Sequence, residues 1–393
     1  MIASIASPVH IVSSTELDGE MLADILRYTA LKAGRLKVAV ILDNAPIKEK
    51  DALIEHLKSV FDVQVFSDVQ PNPRTADIMR MFSDASFAGS DLVLGIGGGS
   101  VLDSAKALAM LSTNGGELDQ YLGLNATRSV QCRSLPLVLI PTTAGTGSEV
   151  TKVGVYTAES GRKYTLGSPL MHAYTAVLAA NLLHGVPASL CAATGLDALD
   201  HALESIWNKN STPLTRQLAR RAALKVLTTL PKLYEAIETG AAERTVLQRQ
   251  MLEASCEAGI AFNLTGTASG HAISFVLSEE WHIPHGLSCA FTLGEVFAWA
   301  VQDRNNRTEI ATLSRCLHPD LKDEEALVQR LAEDINDLLS KLSIPRTFSE
   351  LSLNLDSNQI RSLFRRAMED PKLHNQTPPM QEEDLYRLLE AKL

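Results

Sequence analysis

Short apolar runs punctuate the first half of the chain. Residues 37–42 (KVAVIL), 63–66 (VQVF), 91–94 (DLVL) and 137–140 (LVLI) are bounded by Gly, Pro or Asp and read as buried strands. Between them apolar positions recur at helical spacing, over 48–61, 75–87 and 102 to about 112. Such strand–helix alternation predicts a parallel sheet with helices on both faces. A hairpin is expected next, 153–156 with 163–166, turned at Glu159-Ser160-Gly161. After about Pro187 strand-like runs largely stop, and long amphipathic stretches such as 214–239, 324–342 and 382–393 take over. The expected architecture is an α/β N-terminal domain over 1–185 and an all-helical C-terminal domain over 186–393. The boundary falls between about 180 and 187.

Length supports two domains, since 393 residues exceed what one core usually organises. With 45% hydrophobic and 21% charged residues the chain is not a disordered polymer. No apolar run approaches the roughly 20 residues of a membrane span. A formal charge of −10 argues against nucleic acid or an anionic membrane surface as the main partner, while leaving room for a local cationic pocket. Residues 1–8 carry neither a basic stretch nor a sustained apolar core, so no signal peptide is expected. Five scattered cysteines with no C-x-x-C pair speak against a disulfide framework or a thiolate zinc site. A cytoplasmic protein is the expectation.

Candidate chemistry begins at Gly95-Ile-Gly97-Gly98-Gly99-Ser100, directly after a strand and before a helix. Glycines let a backbone approach an oxyanion closely, and a helix N-terminus offers unsatisfied N–H groups, so this loop reads as a phosphate cradle. It is neither G-x-G-x-x-G, because position 100 is Ser, nor a P-loop. Asp43 ends the first strand, where a carboxylate beside a dinucleotide site accepts ribose hydroxyls and repels a 2′-phosphate. The loop PTTAGTGSE (141–149) adds hydroxyls suited to phosphate, ribose or nicotinamide.

A second cluster lies in GLDALDHALE (195–204), where Asp197 and His201 stand four apart on one helix face. With His271 and His285 they make one carboxylate and three imidazoles, a set suited to Fe²⁺ or Zn²⁺. Asp200 and Glu204 form a second acidic face, read as solvated. His10, His56, His172, His184, His318 and His374 have no partner pattern and read as structural or surface residues.

GGGSVLDSAK (97–106), PTTAGTGSEVT (141–151), GLDALDHALE (195–204) and GHAISFVLSEEWHIPHG (270–286) together resemble the signature blocks of the iron-containing, group III alcohol dehydrogenases. The resemblance runs from about Val38 to the last helix. It implies the two-domain fold and a divalent metal on Asp197, His201, His271 and His285, with Fe²⁺ ahead of Zn²⁺. It also implies NAD(H) bound by Asp43, Asn72, Gly97, Gly98, Ser100, Asp103, Thr142, Thr143, Thr146, Ser148 and Lys163, the last lying near the nicotinamide ribose. Hydride transfer between NAD(H) and a small alcohol or aldehyde follows, in a homo-oligomer, most simply a dimer.

Two departures stand out against the family pattern. A proton-relay histidine common in the family is replaced by Phe275, which leaves water, a cofactor hydroxyl or His282 to carry the proton. The usual Asp-Pro after the strand 175–178 is Ala179-Ala180. Phe275, I-P-H-G and Trp207-Asn-Lys-Asn210 resemble the phosphonoacetaldehyde reductase branch, which implies an anionic two-carbon aldehyde such as phosphonoacetaldehyde or sulfoacetaldehyde, its charge met by Lys163 or an arginine of the helical domain; Lys163 and His282 are the catalytic candidates. The rival readings are a broad reductase of neutral aldehydes and a dehydroquinate synthase-like lyase that uses NAD without net redox.

Overall fold

The computed structural model describes residues 8–32 and 34–393; the expectation about the first residues of the chain falls largely on 1–7, outside the described residues. Eight strands occur among them: β1 (His10–Ser14), β2 (Lys37–Leu42), β3 (Asp62–Phe66), β4 (Leu92–Gly97), β5 (Leu137–Pro141), β6 (Val153–Thr157), β7 (Lys163–Gly167) and β8 (Thr175–Ala179). Six form one parallel sheet in the order β1-β8-β5-β4-β2-β3, and β6 and β7 form the expected antiparallel hairpin. Helices α1 (Gly19–Ala30), α2 (Lys48–Val60), α3 (Thr75–Phe82) and α4 (Gly99–Asn114) connect the early strands.

Strand alternation explains why helices cover both faces. Val38, Val40 and Leu42 of β2 and Leu92, Leu94 and Ile96 of β4 join Leu22 and Leu26 of α1 and Leu53 and Leu57 of α2 in one core. On the opposite face α4 packs so tightly that a Cβ on Gly95 would lie 2.9 Å from Ala105. The sheet order reverses between β2 and β4: the chain runs from β2 outward to β3, then returns to the other side of β2. Loops leaving the carboxyl ends of β2 and β4 therefore diverge, which is where open α/β sheets open a ligand crevice. Asp43 follows β2 directly, and Gly98 joins β4 to the first turn of α4.

The chain divides into two compact units between Val186 and Pro187. From Pro187 onward the described residues form ten helices: α5 (Ala188–Trp207), α6 (Pro213–Thr239), α7 (Arg244–Thr265), α8 (Ser269–Trp281), α9 (His285–Phe291), α10 (Leu293–Ala300), α11 (Arg304–Leu317), α12 (Glu324–Lys341), α13 (Ser357–Met368) and α14 (Glu382–Glu390). Helix α5 is buried on every side from Gly195 to Trp207, as befits the central helix of a bundle. Gly286 is required by this packing, because a Cβ there would lie 2.2 Å from the Ala193 carbonyl oxygen. That contact presses the start of α9, and with it His285, against α5.

Candidate functional site

In the sheet unit the expected cofactor residues gather at the crevice. Asp43 Oδ2 lies 3.0 Å from where a Cβ on Gly97 would stand, so the carboxylate faces the glycine loop. Its other oxygen accepts hydrogen bonds from the Ala45 N–H at 3.1 Å and the buried Lys50 ammonium at 3.2 Å. Gly98, Gly99 and Ser100 are half-exposed at the start of α4, which has no side-chain cap and so leaves its first N–H groups to a ligand. Thr143 flanks Gly98, Thr146 flanks Gly99, and the Thr142 N–H donates to the Gly97 carbonyl at 3.0 Å. Asn72, in the left-handed region at φ 58°, donates its N–H to the Ser100 hydroxyl at 3.2 Å. Its carbonyl accepts from the Thr157 hydroxyl, and Thr157 pairs with Lys163 across the hairpin.

Two further expected cofactor residues, Asp103 and Ser148, are bonded to each other. The Asp103 carboxylate accepts from the Ser148 hydroxyl at 2.6 Å and the Val155 N–H at 2.9 Å, so both of its oxygens are engaged inside the protein. Lys106, fully buried one turn later, donates to Ser148, Thr151 and the Val153 carbonyl. Together they fasten the threonine loop and the hairpin to α4. Burial drives the Lys106 pKa down to about 8 and that of its neighbour Glu149 up to about 7.

In the helical unit, α5, α8 and α9 bring the carboxylate and imidazoles together. Asp197 Oδ1 lies 3.6 Å from His271 Nε2, 3.6 Å from His285 Nε2 and 3.9 Å from His201 Nδ1. His201 stacks between Phe262 and His271. The His285 side chain, 31% exposed, is the open side of an otherwise buried cluster. Cys289, one turn after His285, joins Asp197, His271 and His285 in a group whose donor atoms lie within 4.8 Å of one another. Burial alone would raise the Asp197 pKa, but the neighbouring imidazoles outweigh it and hold the carboxyl below the usual carboxylate range.

The set fits a divalent metal. Donors about 2.1 Å from a tetrahedral ion stand roughly 3.4 Å apart, close to the spacings seen. Asp197 Oδ1 and His271 Nε2 are buried and take part in no hydrogen bond, a costly arrangement that an ion would relieve. The opposite nitrogen of His271 is fixed: its Nδ1–H donates to Glu204 Oε2 at 2.8 Å and lies 3.1 Å from Asp200 Oδ2. That bond sets the tautomer and leaves the Nε2 lone pair for a metal.

Asp200 and Glu204 are thus not solvated, as the sequence reading had them, but fully buried. Glu204 also accepts the N–H groups of Ala268, Gly270 and His271, capping the start of α8 from a different helix. Gly270 allows this approach, since a Cβ would stand 2.9 Å from Asp200 Oδ2. Burial and the adjacent Glu204 charge raise the Asp200 pKa; for Glu204, burial is outweighed by His271 and the backbone donors, which lower it.

Residues 19–180 match the family model of iron-containing alcohol dehydrogenase, and residues 191–393 match the C-terminal model of the same family. The chain belongs to the iron-containing alcohol dehydrogenase family. It is 31% identical to long-chain-alcohol dehydrogenase 1 of Geobacillus thermodenitrificans over 92% of this chain and 90% of that one. It is also 33% identical to the sulfoacetaldehyde reductase of Bilophila wadsworthia over 84% and 83%. Among solved structures, the sulfoacetaldehyde reductase from Bifidobacterium kashiwanohense in complex with NAD+ superposes with a TM-score of 0.86 at 28% identity, covering 100% of this chain and 99% of that one. A 1,3-propanediol oxidoreductase superposes over both whole chains with a TM-score of 0.87 at 23% identity, a likeness of fold alone.

As an iron-containing alcohol dehydrogenase the chain is an alcohol and aldehyde oxidoreductase. His282, one of three expected proton carriers, is exposed at the left-handed C-cap of α8 and lies outside the buried cluster. Phe275 is buried, its ring edge-on to His285 at 6.0 Å. Sequence reasoning missed the parts played by Glu204, Asp200 and Cys289. A signal for the first two was present: positions 197, 200, 201 and 204 follow i, i+3, i+4, i+7 and share one helix face. Among the described residues no helix is long and apolar enough to cross a membrane.

Proposed function

We propose that the protein reduces a small anionic aldehyde to the alcohol with NADH, using a divalent metal held by Asp197, His201, His271 and His285. The observation that carries the metal-dependent part is the pair of buried, unbonded ligand atoms, Asp197 Oδ1 and His271 Nε2, spaced for one ion. The relative named sulfoacetaldehyde reductase supports the substrate class, and the neighbour titled as an NAD+ complex supports the cofactor.

The chain's residues divide the work. The start of α4 with Gly97, Gly98 and Ser100 receives the pyrophosphate, and Thr142, Thr143 and Thr146 line its flank. Asp43 accepts ribose hydroxyls, and Lys50 holds it in place for that purpose. Its negative charge disfavours a 2′-phosphate. Lys163 is assigned to the nicotinamide side. Bound metal supplies Lewis-acid stabilisation of charge growing on the substrate oxygen, and the nicotinamide supplies hydride. Glu204 keeps His271 in the ligating tautomer. Phe262 and Phe275 exclude water around the imidazoles. Phe275 has no exchangeable proton, so protonation of the product falls to solvent, a cofactor hydroxyl or the exposed His282.

The test is kcat/KM for sulfoacetaldehyde, phosphonoacetaldehyde and propanal with NADH, with metal analysis of the same sample. Higher values for an anionic aldehyde support the proposal. Propanal matching or beating both contradicts the substrate class. NADH left unconsumed with all three, in metal-loaded protein, contradicts the redox reading.

A further inference from the structure

An anionic substrate needs a fixed cation near the imidazole cluster, and the chain's net charge of −10 makes that cation's identity informative. Lys372 meets the requirement. Its ammonium lies 3.8 Å from the centre of the Phe275 ring, and that same ring lies 6.0 Å from His285. One aromatic ring therefore separates the ammonium from the exposed side of the cluster.

The segment that carries Lys372 is held firmly. Asn375 donates its side-chain N–H to the Thr267 carbonyl at 2.9 Å, and the Ser269 hydroxyl donates to Gln376 at 2.8 Å. Both partners belong to the turn that starts α8, two to four residues before His271. The Asn375 carbonyl also accepts the Lys209 N–H just beyond α5. Lys372 is thus tied to the two helices that supply Asp197, His201 and His271, the arrangement expected of a preorganised binding group.

The ammonium itself is under-committed. Its side chain is only 19% exposed, and it donates to both carboxylate oxygens of Asp370, two residues away, at 3.1 and 3.4 Å. The ring face of Phe275 attracts the cation but accepts no conventional hydrogen bond. With two N–H groups directed to the Asp370 oxygens, the third donor remains for a further anion. We infer that Lys372 binds the sulfonate or phosphonate head of a two-carbon aldehyde, with Phe275 beneath the short carbon link. This rests on the anionic-aldehyde reading above. Binding energy at the charged head, remote from the reacting carbon, orients the carbonyl. A neutral aldehyde gains nothing from it, so Lys372 sets specificity.

The experiment compares wild type, Lys372→Gln and Lys372→Arg as metal-loaded enzymes. Two quantities are read: the ratio of kcat/KM for sulfoacetaldehyde to that for propanal, and inhibition of propanal reduction by ethanesulfonate, which has the anion without the carbonyl. A charge-assisted contact predicts that the ratio and the inhibitor's affinity both fall about 10- to 100-fold in Lys372→Gln. Lys372→Arg largely restores both. An unchanged ratio and unchanged inhibition in Lys372→Gln overturn the inference. Equal losses on both aldehydes with no rescue by arginine also overturn it, since they mark a structural role. The two readings fail separately. A wild type that prefers propanal removes the anionic substrate, while loss of ethanesulfonate inhibition in Lys372→Gln still assigns an anion site.

Discussion

The two units solve the problem of buried polar groups in opposite ways. In the sheet unit, Asp103, Lys106, Ser148 and Thr151 satisfy one another, and Asp43 is pinned by Lys50 and a backbone N–H. Glu149 Oε2 is an exception. In the helical unit the atoms that matter most, Asp197 Oδ1 and His271 Nε2, stay unbonded, as do both Asp200 oxygens, while Glu204 behind His271 accepts from four N–H groups. A nucleotide cradle can be complete before its ligand arrives, because its donors face solvent. A buried metal site cannot, because the ion itself is the missing partner.

That contrast can be broken most forcefully at His271. Replacing it by Ala should lower kcat/KM by about 1,000-fold or more, the scale of a lost Lewis acid, with metal content falling in parallel. NADH binding, measured by fluorescence titration, should persist, because the cradle does not draw on the cluster. Loss of NADH binding along with the metal would show that the units are not independent in this sense.

A subtler break is Glu204→Gln, which keeps shape but places an amide N–H₂ among four donors. It should weaken metal binding about 10- to 100-fold in a chelator competition, as for other groups that orient metal-ligating histidines. A purely structural role would lower the melting temperatures of metal-free and metal-loaded protein together. A role through His271 narrows the gap between them.

On the cradle side, Asp43→Gly should narrow the preference for NADH over NADPH by about tenfold, as expected for removing one charge beside a 2′-phosphate. A wild type that prefers NADPH would contradict the role given to Asp43. The smallest effect on activity is expected at Glu149, which bears on stability instead. Burial raises its pKa from 4.5 to about 7 in the folded protein, so its contribution to stability is fully present below pH 4.5 and is lost as pH rises through 7. Glu149→Gln removes that loss. Its stability relative to wild type should therefore climb by about 2 kcal/mol between pH 5 and pH 8, as read from thermal melts. A difference that stays flat with pH would argue that Glu149 is paired well enough to remain charged.

Much of the scaffold was legible because its signals are local. The run KVAVIL becomes β2, and 48–61 becomes α2 with one residue fewer. Helix α3 stops at Phe82 rather than 87, where Ser83 caps it and a turn leads to Gly89. Strand β1 escaped notice because HIVSS is short, half polar and sits at the sheet edge beside β8. Candidate ligands were legible as residue types, but their supports were not. Glu204 looks like a surface glutamate until α8 arrives from 64 residues away to place its N–H groups upon it. Lys372 carries no motif; only folding sets its ammonium over Phe275. Long-range packing is the information a single-sequence pattern does not hold.

One divalent ion is expected to complete the Asp197–His201–His271–His285 cluster. Its most direct measurement is the metal content of wild type and Asp197→Ala after anaerobic loading with Fe²⁺ and removal of loose metal. About one ion per chain in the wild type, and almost none in the variant with NADH binding retained, is the predicted result. Stoichiometric metal in Asp197→Ala, or a wild type that holds no metal yet reduces aldehydes at full rate, would contradict it.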